Sequence, residues 1–491
     1  MEQHAKGATP AASAPAPARA RHPSGAPARS QGARDARGLS PAAPGPTRIV
    51  LLVTRDTKAA ESEYLIGALE RLDIETDIID TAMREVPGLT KAELMRRAAD
   101  DCGCCIQGAI EGGARAIVGL GGGTGSWIAM NAMQTAPFGF PKVMISTLAF
   151  DPRDFVSSSD IIVCPSIADI VGLNDTLRRV LDNCAAAVAG MARVARVPDP
   201  DAPAHAASHI GVTSLGITDG GVSALRSALE GRGHEVTSFH ANGFGGRAFE
   251  RWTASGAFRG VVDFTTHEIN SLLFGGAAPP GADRLTSAAL AGVPQVVVPG
   301  GLDVLTRGPV ASLTPGERER RHYAQNVVFT HLRATGREMK RAAEIIAERL
   351  NEASAPVRVV VPMGGFSREG VPGGIVHEAS YDRLFVQTLR RRLKSSIPVF
   401  EETMAINDPA FGRSVAAHLD AVLEDADKRA AEMRAGDEAL DEAPDDAPAF
   451  VSGAALGGGD AGDMAATGPT ARPPGSLAVP SPAHRGGQEL T

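Results

Sequence analysis

The chain has 491 residues, a formal net charge of -8 at pH 7 and a pI of about 5.9, a balance that gives no electrostatic case for nucleic acid as its main partner. It is long enough for two or more hydrophobic cores and its 43% hydrophobic content suits globular domains, but only 4% is aromatic while Gly (55) and Pro (34) are abundant, so part of the chain is not expected to fold. Cys102, Cys104, Cys105, Cys164 and Cys184 are few and set in apolar sequence; they read as reduced core thiols of a cytoplasmic protein, with neither a zinc site nor a disulfide framework.

Residues 1–46 are mostly Ala, Pro, Gly, Ser and Arg, with almost no branched apolar side chain to offset chain entropy by burial. They are expected to form a disordered arm, made basic by Arg19, Arg21, Arg29, Arg34 and Arg37. No apolar run follows, which argues against a signal peptide or a membrane span.

A first domain is expected over 47–199. It opens as a βαβ unit: a strand from Ile49 to Val53, a polar turn with Thr54, Asp56 and Lys58, a helix from Ala60 to Leu72 and a strand from Thr76 to Ile79. A helix from Lys91 to Glu111 leads into "ARAIVGLGGGTGSWIAMNAM", and strands follow from Lys142 to Ser146 and from Asp160 to Val163. A long helix then carries Cys184 on its buried side, and "PDPDAPAHAA", ending at Ala207, reads as a linker. The second domain, 208–423, repeats the opening: a strand from Ile210 to Leu215, a turn with Thr218, Asp219 and Gly220, a helix from Val222 to Leu229 and a strand from Glu235 to Phe239. Further strands are predicted at Gly260 to Phe264, Gln295 to Val298, Val357 to Val361 and Val399 to Glu401, with a helix from Arg337 to Asn351 and a closing helix opened by Asp408 and Pro409. The fold class is therefore α/β: two Rossmann-like parallel-sheet domains facing a cleft, with disordered tails, the second being an acidic, low-complexity stretch over 424–491.

The central stretch has the order strand, glycine turn, helix. Glycines at 121, 122, 123 and 125 let backbone N–H groups turn inward, and the first helical turn adds unpaired donors and the positive end of its dipole, an arrangement suited to phosphate. Gly119 and Gly121 begin a dinucleotide fingerprint, but Thr124 stands at its last glycine position, and no Gly-Lys-Ser/Thr follows to make a Walker loop.

Open α/β sheets bind ligands at the carboxyl ends of their strands. Ser146 and Thr147 follow one strand, and Thr265, Thr266, His267 and Glu268 follow another. His240 stands at a strand end before Gly243, Gly245 and Gly246 and a helix carrying Glu250, a second candidate anion turn; Asp303 comes just after Pro299, Gly300 and Gly301. Gly364 and Gly365 form a third glycine turn, and one of Glu401 and Glu402 can face a crevice.

Most of the ordered region, about Arg48 to Leu419, resembles the UPF0261 family, which includes Tm-1-like ATP-binding proteins. The matching stretches include "GLGGGTGSWIAMNAM", "DIVGLNDTLRRVLDNCAAAVAGM", "FHANGFGGRAFE", "VPQVVVPGGLDVL", "RRHYAQNVVFTHLRAT" and "VVVPMGGFS". Some members have "GGSGGT" where this chain has "GGGTGS", and plant members carry an additional C-terminal barrel. The resemblance implies two Rossmann-like domains with ATP on the first. Its phosphates would lie on Gly121, Gly122, Gly123, Thr124, Gly125 and Ser126, near Ser146 and Thr147, with Lys58 as a point charge and Asp56 contacting Mg2+ directly or through water. An ATP-dependent enzyme would act on a small acidic metabolite in the interdomain cleft, with His240, Glu250, Glu268 and Asp303 as candidate catalytic groups. A non-catalytic nucleotide-binding module and an ATP-independent hydrolase or acyl transferase are the rival readings. A homo-oligomer, most simply a dimer, is expected from the resemblance and from the frequency of closed dimers.

Overall fold

The computed structural model describes residues 46–195, 208–277 and 279–441. The expected basic arm up to residue 45, the linker at 198–207 and the low-complexity stretch after 441 lie outside the described residues. The chain divides into two compact units between Ala431 and Glu432, and both α/β sheets lie in the first.

The first sheet contains β1 (Thr47–Val53), β2 (Ile74–Asp80), β3 (Ile117–Gly121), β4 (Lys142–Ser146) and β5 (Ile162–Pro165), all parallel, in the order β2-β1-β3-β4-β5. Its helices are α1 (Ala59–Glu70), α2 (Lys91–Glu111), α3 (Gly123–Met133), the short α4 (Arg153–Val156) and α5 (Asp175–Val194). Successive side chains of a strand point to opposite faces, and β1 supplies both cores. Ile49, Leu51 and Val53 pack with Leu65 and Leu69 of α1 and Leu181 and Val188 of α5, whereas Val50 and Leu52 pack with Ile106 of α2 and Ile128 of α3. A parallel sheet covered on both faces needs such uninterrupted apolar strands. The helix starts are written locally: Thr90 and Glu93 form a capping box on α2, and the Asn174 side chain accepts from Leu177 N at 2.9 Å to open α5. Cys102 and Cys184 are buried as expected, but Cys104 and Cys105 lie on the exposed side of α2 and are not core thiols.

The second half begins with β6 (His209–Ser214), α6 (Asp219–Glu230), β7 (Glu235–His240), α7 (Phe244–Ala254), β8 (Gly260–Asp263), α8 (Glu268–Phe274), α9 (Ser287–Leu290) and β9 (Gln295–Val297). Next come β10 (Val304–Arg307), α10 (Pro315–Arg318), β11 (His322–Ala324), β12 (Thr330–Arg333) and α11 (Gly336–Leu350), then β13 (Val357–Pro362), α12 (Ala379–Arg392), β14 (Val399–Glu402) and α13 (Pro409–Asp441). The parallel sheet has the order β14-β13-β9-β8-β6-β7. A separate antiparallel sheet, β10-β12-β11, was not expected from the sequence; its strands are three or four residues long, too short for a periodic signal.

A second difference is at the end of the fold. The closing helix does not stop at Leu423 but continues to Asp441, so residues 424–441 are helical and the acidic tail does not begin at Glu424. Its carboxylates are spent on cations of the sheet domain: Asp420 on Arg232 at 2.6 Å, Asp425 on Arg358 at 3.1 Å and Asp427 on Arg259 at 2.7 Å. Among the described residues no helix is long and apolar enough to cross a membrane.

The apolar anchor of α13 is Phe411, fully buried and edge-on to Phe264 of the strand layer at 5.9 Å between centroids. Phe411→Ala is expected to lower the stability of the second domain by about 3–5 kcal/mol through lost burial and a residual cavity, measured as a shift of the denaturant midpoint; a change below about 1 kcal/mol would show that α13 does not hold the core.

Candidate functional site

In both sheets the second strand lies on one side of the first and the third on the other. The carboxyl ends on the two sides of that reversal leave a crevice. In the first domain the crevice lies between the ends of β1 and β3. Gly122, with φ -78°, caps α3, whose first residue is Gly123, and no glycine from 119 to 125 has positive φ. The glycines therefore serve close approach and not a left-handed turn. A Cβ on Gly121 would lie 2.9 Å from Ser126 N and one on Gly125 would lie 3.1 Å from Thr54 Oγ1, whereas one on Gly122 would meet nothing within 4 Å. Gly122 faces a cavity of about 360 Å³, walled by Gly121, Gly123, Thr124, Gly125, Asp56 and Lys58 among others.

Lys58 Nζ donates to Ile170 O and Glu61 Oε1 accepts from Gly172 N at 2.7 Å, which ties the β1 turn to the segment after β5. Asp56 is exposed at the rim. Among the described residues no group of three or more His, Cys, Asp or Glu is placed to hold a metal ion. Ser126, Ser146 and Thr147 do not line this cavity. Ser126 Oγ donates to Gly121 O at 3.0 Å and meets Ser146 Oγ at 2.8 Å, and Ser146 Oγ accepts from Leu148 N at 3.0 Å, so the two hydroxyls join the β3 turn to β4.

A larger cavity, about 570 Å³, lies between the domains. The first domain contributes Asp151, Arg153, Asp154 and Ser157 around α4; the second contributes His240, Asn242 and Arg247 around the start of α7, His267 at the start of α8, and Thr306 and His331 of the unexpected antiparallel sheet. The domains are joined here along α7: Arg247 pairs with Asp154 at 2.7 Å, Arg251 donates to Ser158 O at 2.5 Å and to Gln134 O, and Trp252 packs on Phe138 at 4.7 Å between centroids. The same first-domain segment reaches the glycine turn, since Ala149 Cβ would lie 3.2 Å from a Cβ on Gly123.

Burial controls the cavity's histidines. His267 is 4% exposed, its Nδ1 has no hydrogen-bond partner, and burial reinforced by His331, Arg284 and His240 pulls its pKa down to about 3. His331 is pulled down to about 4 by burial, and its Nδ1 lies 2.9 Å from the hydroxyl of Tyr323, a phenol that burial keeps protonated. Both rings are neutral at pH 7. His240 is exposed and lines the same cavity, so of the four candidate catalytic groups it alone is there.

Glu250 and Glu268 are elsewhere. Both are buried around Arg284, whose Nε donates to Glu268 Oε2 at 2.6 Å while Nη1 donates to Glu250 Oε1 at 3.0 Å and to Asp263, and Nη2 to Asp263 Oδ1 at 2.6 Å. Burial raises the pKa of both glutamates against the lowering pull of Arg284. Glu268 Oε1 also accepts from Gly243 N at 2.5 Å, so the second candidate anion turn is filled by the chain's own carboxylate. The third is closed by backbone, with Gly364 N on Met404 O and Gly365 N on Pro362 O, each at 3.0 Å. Asp303 is buried against Ser367 Oγ at 2.6 Å and Arg333, and burial brings its pKa up to about 6; it does not line the cavity. Glu401 pairs with Arg390 at 2.8 Å and Glu402 accepts from Ser414 at 2.5 Å, both away from the cleft lining.

Residues 85–197 match the Uncharacterised protein family (UPF0261) N-terminal domain and 207–423 match its C-terminal domain. The chain belongs to the UPF0261 family. A UPF0261 protein of Clostridium tetani is 32% identical over 406 residues, 77% of this chain and 99% of that protein, and one of Mesorhizobium japonicum is 33% identical over 400 residues, 76% and 98% respectively. The ToMV resistance protein Tm-1 of Solanum lycopersicum is 32% identical over 315 residues, which are 63% of this chain and 41% of that protein. The N-terminal match to UPF0261 includes the glycine turn but starts after β2, outside Asp56 and Lys58.

For this UPF0261 chain the buried histidines set an acid limb of stability. Their folded pKa values, about 3 and 4, lie below the ordinary 6.5, so between these values the unfolded chain binds more protons and stability falls as pH drops from 6.5 toward 4. Asp303, raised from 3.8 to about 6, acts in the opposite sense: its contribution is lost as pH rises through 6. His331→Gln is therefore expected to lose less stability than wild type between pH 6.5 and 4.5, read from denaturant midpoints at each pH; parallel losses would show that His331 is not buried neutral.

Proposed function

We propose that the chain is a nucleotide-binding protein whose first domain holds the phosphates of ATP on the Gly122–Gly125 turn, and an ATP-dependent enzyme whose small acidic substrate occupies the interdomain cavity. The observation that carries the nucleotide reading is the open face of Gly122. It lies at the amino end of an 11-residue helix, where the N–H groups of Gly123, Thr124 and Gly125 come before Ser126 N, the first intrahelical donor, which bonds Gly122 O at 2.8 Å, and at the point where the strand order reverses. The site suits phosphate because these donors are held in place before any ligand arrives. Lys58 borders the same space and would add a point charge by leaving Ile170 O. Asp56 is the carboxylate available to Mg2+, which typically takes one or two protein carboxylates and completes its shell with phosphate and water. ATP would supply a phosphoryl group for transfer or for activation of a carboxylate, and the segment from Ala149 to Ser157 connects the turn to the cavity where an acceptor would sit.

In this reading Glu250, Glu268 and Asp303 are not groups that touch substrate. They set the shape of the second domain, and the polar residues that line the cavity include His240, Asn242, Arg247, Arg153 and Asn326. A regulatory module is the second reading, supported by the bonds of Arg247 and Arg251 across the domain boundary, which a ligand on either side would perturb.

Gly122 has a backbone conformation open to any residue, so Gly122→Val should fold while placing a branched side chain in the phosphate space. Calorimetry is expected to show ATP weakened at least tenfold and adenosine nearly unchanged, with circular dichroism confirming the fold. Unchanged ATP affinity in the folded variant would return the loop to a packing turn.

A further inference from the structure

One pair of thiols in the first domain lines neither of the cavities described above. Cys164, on β5, and Cys184, on α5, are both free, and Cys184 Sγ donates to Cys164 Sγ at 2.9 Å. The sulfurs are within about 1 Å of the length of a disulfide bond. Both backbones are fixed: Cys164 pairs in register with Ile145 of β4, and Cys184 belongs to the core formed by Val143 and Ile145 of β4 with Leu181 and Val188 of α5. The other three cysteines do not compete for either sulfur, since Cys102, Cys104 and Cys105 are on α2, which packs on the opposite face of the sheet.

The two thiols differ in access. In the order β2-β1-β3-β4-β5 the last strand is an edge, so no strand covers its outer side, and Cys164 is half-buried there. Cys184 is 4% exposed, and burial, with Cys164 beside it, pushes its thiol well above the ordinary thiol range. A buried thiol of that kind is inert on its own, whereas a half-buried one starts an exchange with a small reagent and passes the linkage to a thiol it touches. Cys164 is placed to start such an exchange and Cys184 to finish it. A pair that is free yet in contact is a switch and not a framework.

We propose that Cys164 and Cys184 form a redox-active pair that closes to an intramolecular disulfide by exchange with a low-molecular-weight disulfide. The Cys164 thiolate attacks one sulfur of the reagent, forming a mixed disulfide on Cys164 and releasing one thiolate. The Cys184 thiolate then attacks Cys164 Sγ and expels the second. The protein thiols are oxidised, the reagent disulfide is reduced to two thiols, and the two protons pass through solvent to the leaving thiolates. Because the second step needs Cys184 as thiolate, it quickens as pH rises. The bond closes the chain from 164 to 184, which contains Ile170 and Gly172, the residues that hold Lys58 and Glu61 at the β1 turn. Oxidation therefore braces β5, α5 and the segment between them into one unit. This goes beyond the nucleotide reading and does not depend on it.

The full chain, without nucleotide, is incubated with oxidised glutathione, alkylated and digested without reduction. The expected product is a peptide pair linked from Cys164 to Cys184, formed faster as pH is raised from about 7 to about 8.5, with the amides of 166–172 exchanging hydrogen at least tenfold more slowly in the linked chain. Cys104 and Cys105, exposed on α2, react with the same reagent and report that it is active. Cys184→Ala removes the finishing thiol and is expected to stop at glutathione on Cys164, and Cys164→Ala is expected to leave Cys184 unmodified. Circular dichroism confirms the fold of each, and Cys184→Ser gives the same readout should the Ala variant not fold. The proposal is overturned if Cys104 and Cys105 react and no link forms, if folded Cys184→Ala takes up no glutathione at Cys164, if the link appears only once denaturant has unfolded the domain, or if the linked chain exchanges 166–172 as before.

Discussion

The second domain depends on one buried cation. Arg284 has no contact with water and faces three carboxylates, those of Asp263, Glu250 and Glu268, with Thr265 O taking a further N–H at 3.2 Å. Each acid comes from a different element. Asp263 ends β8 and is bound by Thr213 of β6, Glu250 lies within α7 and Glu268 begins α8. Glu250 also accepts from Leu285 N at 2.5 Å and Ser287 N at 3.0 Å, which fixes the chain leaving Arg284 itself. Removing one member of such a network leaves charge buried without compensation, commonly a loss of about 3–5 kcal/mol. The starts of α7 and α8, which carry Arg247 and His267 to the cavity, are thus positioned by groups that do not line it.

That arrangement explains what could be read from the sequence. The parallel strands are legible because strands covered on both faces become short apolar runs, and β4 and α2 fall where their runs and caps place them. The first glycine turn is legible because its donors are local in sequence. Arg284 is not legible: it stands in "PPGADRLTS", which reads as a surface loop, and its partners are 16 to 34 residues away. A carboxylate after a strand looks the same in sequence whether it faces a cleft or an internal guanidinium, and Glu250 and Glu268 face the guanidinium of Arg284. The stretch "RRHYAQNVVFTHLRAT" carries a turn signal between β11 and β12, with Asn326 accepting from Val328 N and Phe329 N at 2.8 Å, but its strands give too few alternations to count.

The two domains meet through elements that also form the sites. Helix α7 presents Arg247 to the cavity and Arg251 to the backbone of the first domain one turn later, so a rotation of one domain on the other changes both. On the opposite side, the first-domain segment that begins beside Gly123 ends at Ser157 in the cavity wall. The glycine turn and the cavity are therefore bordered by adjacent parts of one short stretch of chain.

The turn at Gly243 and the turn at Gly122 share a strand, a glycine and a helix start, yet differ in what meets their donors. At Gly243 the anion is Glu268, covalently attached to the same chain and held in place by Arg284. An attached partner acts at an effective concentration set by the chain, and a preorganised one acts at a still higher value. A free phosphate at cellular levels competes poorly against it and would have to strip a buried guanidinium of its counterion on entry. No side-chain carboxylate of the described residues is hydrogen-bonded at the Gly122 turn, whose glycine has φ -78° where Gly243 has φ 92°, so one of the two turns is closed by its own chain and the other borders an open cavity.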